Sequence, residues 1–129
     1  MNSEVSEITK DAKGKVTGVV LADGKKLSVD MVVLGAGVTP RTAFLARTEC
    51  GIKRDESGAV VCDPFLQSSQ KDIFAAGDVC SFPYWQTGRQ TRVEHWSNAL
   101  DQGTYAAYNM LGKCVPFGNT SFYWTQHYD

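Results

Sequence analysis

Several features that would place a chain at once are missing from this one. No apolar run approaches the ~20 residues that a membrane-spanning helix needs. The opening stretch, MNSEVSEITK, has no apolar centre of the kind a signal peptide carries. Neither charge sign dominates: 13 Lys plus Arg face 14 Asp plus Glu, a formal net charge of -1, so there is no basic footprint for nucleic acid. The four cysteines, Cys50, Cys62, Cys80 and Cys114, are widely spaced. With no C-x-x-C pair and no Cys/His cluster, neither a metal site nor a redox dithiol is indicated. Four cysteines could form two disulfides in a secreted chain. Without a signal peptide, the expectation is reduced thiols inside the cell. Internal repeats and low-complexity segments are also absent.

What is present suits a soluble globular protein. The 129 residues suffice for one ordinary domain with a core, and 43% hydrophobic with 21% charged residues is a typical balance. The first part reads as a β-meander. Strands are expected around Val5 and Ile8, over Val16 to Leu21, and near Lys26 to Ser28. Turns fall at Asp11 to Lys15 and at Ala22 to Lys25, where Asp-Gly predicts a type I′ hairpin. Met31 to Leu34 is a continuous apolar run, as in a central parallel strand. It leads into Gly35-Ala36-Gly37-Val38-Thr39-Pro40. The third glycine of a phosphate-binding G-x-G-x-x-G is missing there, and Pro40 sits where a helix would start, so this is not the primary dinucleotide fingerprint. Thr42 to Arg47 predicts a short helix with Phe44 and Leu45 turned inward, and Val60-Val61 a short strand.

The stretch Asp72-Ile73-Phe74-Ala75-Ala76-Gly77-Asp78-Val79 reads as a buried strand that ends in a Gly-Asp turn. Gly77 permits a sharp turn and close approach of a ligand. Asp78 stands at the carboxyl end of that strand, where open α/β sheets bind their ligands. An ordinary strand-turn with Asp78 as a cap reads equally well from these residues alone. Phe82, Tyr84 and Trp85 suggest a small satellite aromatic cluster. Val93 to Leu111 has helical periodicity, with Trp96, Leu100, Gly103, Ala107 and Met110 on the expected inner face and Gly112 as the stop. By residue type alone, Glu94 suits a helix first turn, His95 a surface and Trp124 the core of a following element.

Three blocks in one order carry a resemblance: DMVVLGAGVTPR at Asp30 to Arg41, DIFAAGDV at Asp72 to Val79, and RVEHWSNALDQGTYAAYNMLG at Arg92 to Gly112. Together they resemble the second half of the FAD-dependent pyridine nucleotide-disulfide oxidoreductases, in the apoptosis-inducing-factor-like and ferredoxin reductase branch. The ending SFYWTQHY, Ser121 to Tyr128, fits that branch too. The resemblance implies an α/β fold, part of a flavoprotein with two Rossmann-like dinucleotide-binding domains for FAD and NAD(P)H. Residues 1–37 would be the tail of the NAD(P)H-binding domain, 38–118 the returning segment of the FAD-binding domain, and 119–129 the start of a C-terminal domain. The FAD fingerprint and the glycine loop of the nicotinamide domain are not in these residues. The chain therefore reads as a fragment that lacks the N-terminal half of the same fold, buries its apolar surface poorly and does not bind FAD tightly alone.

The resemblance also implies roles. Asp78 would hydrogen-bond a ribityl hydroxyl of FAD, Gly77 would give clearance, and the Val79 amide would approach the pyrophosphate. His95 and Trp96 match flavin-contacting positions, and Glu94 and His95 nicotinamide-contacting ones. Gly37 matches a point where the nicotinamide nears the backbone, and Trp124 an aromatic near both rings. No residue is needed as nucleophile or general acid. The implied reaction is hydride transfer from NADH or NADPH to flavin, then electron transfer to a protein such as a ferredoxin or Rieske-type domain, or to a quinone-like acceptor. A non-catalytic apoptosis-inducing-factor-like interaction protein, or an inactive truncated product, is the alternative. The expected compartment is cytoplasmic or mitochondrial.

Overall fold

Aspartate-led turns set the strand register through much of the chain. The computed structural model describes residues 3–46 and 49–128, and the chain divides into two units, Met1–Gly37 and Val38–Asp129. In the first unit, β1 (Val5–Lys10), β2 (Val16–Leu21) and β3 (Lys26–Ser28) form the expected antiparallel meander. Ile8 lies opposite Val19, and Val19 opposite Leu27, which leaves Val19 buried. Gly18 is needed where β2 meets β3: a Cβ there would stand 2.7 Å from the Leu27 carbonyl oxygen.

The β1–β2 turn closes by Gly14 N–H to the Asp11 carbonyl at 3.0 Å, while Asp11 Oδ1 accepts from the amides of Lys13 and Lys15. The β2–β3 loop is not the expected type I′ turn. That type needs two positive φ values, and here only Gly24 has one (+84°), its amide donating to the Leu21 carbonyl. It is a three-residue loop that ends on a left-handed glycine.

Met31 to Leu34 does not form the expected strand. Met31, Val33 and Leu34 are 76%, 85% and 73% exposed. A central parallel strand exists only through hydrogen bonds to neighbours on both sides, and no described segment supplies them.

The second unit carries a small mixed sheet. β4 (Val60–Val61) pairs parallel with β5 (Cys80–Pro83), and β5 pairs antiparallel with β6 (Gln90–Thr91). Asp55 and Asp63 each lead a turn of the same kind. In the second of these, fully buried Leu66 takes the left-handed position (φ +63°) where the others place glycine. The core is Val60, Cys62, Leu66, Cys80, Phe82, Ala106 and Phe117. Phe82 belongs to this core, edge-on to Phe117 at 5.3 Å, rather than to a satellite cluster, while Trp85 is exposed.

Residues 73–76 are not a strand. A single bridge, Phe74 to Gln67, is all that pairs there, and Ile73 is exposed. The helix expected over Thr42–Arg47 is one 3₁₀ turn, Ala43–Ala46, with Leu45 against the core but Phe44 exposed; Arg47 lies outside the described residues.

Helix α1 (Trp96–Met110) forms as expected but presents the opposite face. Asn98, Gln102 and Ala106 are buried, whereas Trp96, Leu100 and Met110 are 71%, 61% and 61% exposed and Gly103 and Ala107 face outward. The reason is hydrogen bonding. The amide stripe spaced at helical intervals satisfies irregular backbone that no strand ladder serves: Asn109 alone donates to the carbonyls of Phe65 (2.8 Å) and Val115 (2.9 Å) and accepts from Val115 N–H (2.7 Å).

Asp55 gives this unit a pH dependence. Partial burial pushes its carboxyl up, but hydrogen bonds led by the Ser57 hydroxyl outweigh this and hold it below its ordinary value. A depressed folded-state pKa adds stability above the unfolded value, lost as pH falls through the folded one. Urea midpoints of the wild type should therefore fall from about pH 4 downward more steeply than those of Asp55→Asn, and parallel curves would contradict this.

Candidate functional site

The Gly77-Asp78-Val79 turn is held by a segment some twenty residues further along. Ala76 is extended (φ -144°, ψ 155°), and the chain then reverses through one 3₁₀ turn, Gly77–Val79, with Gly77 buried at φ +75°. The Cys80 amide donates back to the Gly77 carbonyl and starts β5. Three contacts from Arg92 to Gln102 fix this turn. The Gly77 amide donates to Gln102 Oε1 at 2.7 Å, Ala99 packs on Gly77, and Arg92 Nη1 donates to the Asp78 carbonyl at 3.3 Å.

A Cβ on Gly77 would lie 3.2 Å from the Ala99 Cβ. The absent side chain therefore leaves room for α1 to pack on the turn. Asp78 is exposed, and its carboxylate has no hydrogen bond or ion pair among the described residues. Val79 is half-buried beside it.

The next three predicted residues stand at the start of α1. His95 is the N-cap, its Nδ1 accepting from the Ser97 amide at 3.3 Å and lying 2.7 Å from the Ser97 hydroxyl. Glu94 precedes the cap and pairs with Arg92 at 2.6 Å, so it is not a first-turn acid. Trp96 is exposed, its ring 6.4 Å from that of His95. The Arg92 guanidinium thus links the Asp78 backbone to Glu94, the residue before the His95 cap. Trp124 is 74% exposed; it is Tyr123 that stacks on His95, with 5.3 Å between centroids and 28° between planes. Gly37 belongs to the other unit, at φ +76° with open space where a Cβ would be.

Sequence reasoning passed over Arg92, Ala99, Gln102 and Tyr123. The signal for Gln102 was available: His95, Asn98, Gln102, Ala106 and Asn109 make an uncharged face one helical step apart, with Asp101 off to the side.

Gln102 is fully buried, and its Nε2 has no hydrogen-bond partner among the described residues. The exposed Asp78 carboxylate can accept hydrogen bonds from a ligand rich in hydroxyls. Hydrogen bonding to Cys62 and burial push the Cys80 thiol far up, while the same hydrogen bond draws the Cys62 thiol below its ordinary value. Among the described residues no cluster suits a metal ion, and no helix is long and apolar enough to cross a membrane. A cavity of about 340 Å³ between Pro83, Trp85 and Phe117 shares no residue with the Asp78 turn.

Residues 1–103 match the pyridine nucleotide-disulphide oxidoreductase family. The chain is 37% identical over 126 residues to apoptosis-inducing factor 3 of Mus musculus, covering 97% of this chain and 20% of that protein. A ferredoxin reductase for the CYP199A2 system of Rhodopseudomonas palustris superposes with a TM-score of 0.75 at 34% identity, over 88% of this chain and 27% of that one. An FAD-dependent pyridine nucleotide-disulphide oxidoreductase of Desulfovibrio vulgaris gives 0.73 at 33% identity, over 90% and 28%. This chain therefore spans between a fifth and a third of the length of these relatives.

The turn's dependence on glycine is testable in the chain itself. Gly77→Ala should lower the unfolding free energy by about 1–2 kcal/mol for the left-handed backbone, with a further loss from the Ala99 contact. Ala99→Gly should relieve only the second part. A Gly77→Ala variant with an unchanged urea midpoint would contradict the geometry.

Proposed function

The chain belongs to the pyridine nucleotide-disulphide oxidoreductase family, and on that premise we propose that it supplies the ribityl side of an FAD site in an NAD(P)H-dependent electron-transfer flavoprotein. The observation that carries this reading is Asp78: an exposed carboxylate with no hydrogen bond or ion pair among the described residues, on a turn held by three contacts from the segment Arg92 to Gln102. A clamped turn offers its carboxylate without an ordering cost on binding. An FAD held there would supply the hydride-accepting and electron-transfer chemistry, with NAD(P)H as the donor.

What this chain does is bind and orient. Asp78 accepts a hydrogen bond from a polyol hydroxyl, with the Val79 amide following it on the turn. Arg92 holds the Asp78 carbonyl and draws Glu94 beside the start of α1. The N-terminus of α1, capped by His95, contributes its dipole toward negative charge there. Glu94, His95, Trp96, Gly37 and Trp124 are proposed as flavin or nicotinamide contacts on the strength of the resemblance.

We assign residues 1–37 to the end of a nicotinamide-binding domain, 38–118 to the returning segment of an FAD-binding domain, and 119–129 to the start of a third. The remainder of the fold is the proposed partner of the exposed apolar residues, among them Met31, Val33, Leu34, Phe44, Leu100 and Met110. The likeness to a ferredoxin reductase supports a ferredoxin or similar iron–sulfur protein as acceptor. The likeness to apoptosis-inducing factor 3 favours a second reading, a non-catalytic interaction protein. Flavin binding without NAD(P)H oxidation would select it.

The test is a chimaera in which residues 38–128 replace the matching segment of the Rhodopseudomonas palustris ferredoxin reductase. The chimaera should retain FAD through dialysis, and the isolated chain should not bind it stoichiometrically. Asp78→Ala in the chimaera should weaken retention roughly 10- to 150-fold, the worth of one charge-assisted hydrogen bond. Retention unchanged by Asp78→Ala would remove Asp78 from the site.

A further inference from the structure

Left-handed glycines recur in this chain, and most of their turns close on themselves. Gly14, Gly24 and Gly58 donate their amides to the carbonyl three residues earlier, those of Asp11, Leu21 and Asp55. Gly77 does not. The residue before it is extended, so no such local carbonyl receives its N–H. The amide goes instead to a side chain 25 positions away, Gln102 Oε1. The conformation that presents Asp78 is thus not fixed by the turn's own sequence.

Gln102 is suited to fix it. Its side chain is fully buried in the middle of a four-turn helix. One step before it on the same face, Ala99 touches Gly77; one step after it, Ala106 lies in the core. The helix therefore reaches the turn through a hydrogen bond and a van der Waals contact from adjacent positions, with the core behind both.

We propose that Gln102 is the positioning residue of this site, latching helix α1 to the Gly77 turn and so setting the aim of the Asp78 carboxylate. The use of that aim rests on the flavin reading above; the latch itself does not. A residue that served only stability would be expected to satisfy both ends of its carboxamide. Gln102 leaves Nε2 unpaired. An apolar side chain of the same length would remove that buried, unpaired donor but would also take the acceptor away from the Gly77 N–H, so Gln102→Met should keep the chain folded with a lowered thermal midpoint. It should also free the Gly77 amide.

The experiment is amide NMR on the isotope-labelled chain. In the wild type, a scalar coupling across the hydrogen bond should connect the Gly77 nitrogen with the Gln102 carboxamide carbon. In Gln102→Met the Gly77 amide should exchange with solvent about tenfold faster or more, while the amides of β5 stay as they were. Gln102→Glu, which keeps an acceptor oxygen, should restore slow exchange at Gly77. Absence of the coupling with the Gly77 signal resolved overturns the latch, and this reading needs no variant to fold. A folded Gln102→Met chain with unchanged Gly77 exchange, or a folded Gln102→Glu chain that fails to restore it, overturns the latch equally. These signals do not depend on flavin, so loss of the FAD reading would show in the chimaera and leave them in place.

Discussion

One hydrogen bond, from the Gly77 amide to Gln102 Oε1, joins the helix of the second unit to the turn that carries Asp78. A buried N–H without a partner costs about 1–3 kcal/mol, so the left-handed turn at Gly77 is tenable only with an acceptor brought to it. Gln102 can serve only if α1 lies with its amide face inward. That orientation brings Asn98 to the Val93 carbonyl and Asn109 to the loop backbone at Phe65 and Val115. It also sends Trp96, Leu100 and Met110 outward. The inner face is polar because irregular backbone needs hydrogen bonds, and the outer face is apolar as a result.

How much of this the sequence disclosed depends on whether each element is locally determined. The meander was legible, because Asp11-to-Gly14 and Asp23-Gly24 close their own turns and β-branched residues fill the strands between. The helix was legible in extent, from the 3.6-residue period and the stop at Gly112, but not in facing. Periodicity locates two faces and cannot say which meets protein when the inner one is lined with amides. Met31 to Leu34 and Ile73 to Ala76 read as central strands because their composition is that of strands buried on both sides. Strand pairing is a property of neighbours, and the described residues hold none for the first and a single bridge, Phe74 to Gln67, for the second.

The site divides in the same way. Asp78 is expected from the Gly-Asp turn and the flanking blocks, and its carboxylate is exposed and, among the described residues, unpaired. Gly77 is expected from the same turn, and its close contact with Ala99 is a feature its sequence neighbourhood does not show. Gln102 and Arg92, which hold the turn, lie 25 and 14 residues from their partners. Contacts of that separation leave no local mark beyond an uncharged helical stripe. Tyr123 on His95 is a further case, an aromatic pair that residue type alone could not choose over Trp124.

An exposed carboxylate on a held turn, a capped helix beside it and membership of a pyridine nucleotide-disulphide oxidoreductase family support the proposal that this chain presents half of a cofactor site. The most direct test is the absorption spectrum of the ferredoxin reductase chimaera under anaerobic conditions, before and after NADH. The account predicts a yellow protein whose flavin absorption bleaches on addition of NADH. A folded but colourless chimaera that FAD cannot reconstitute would contradict it.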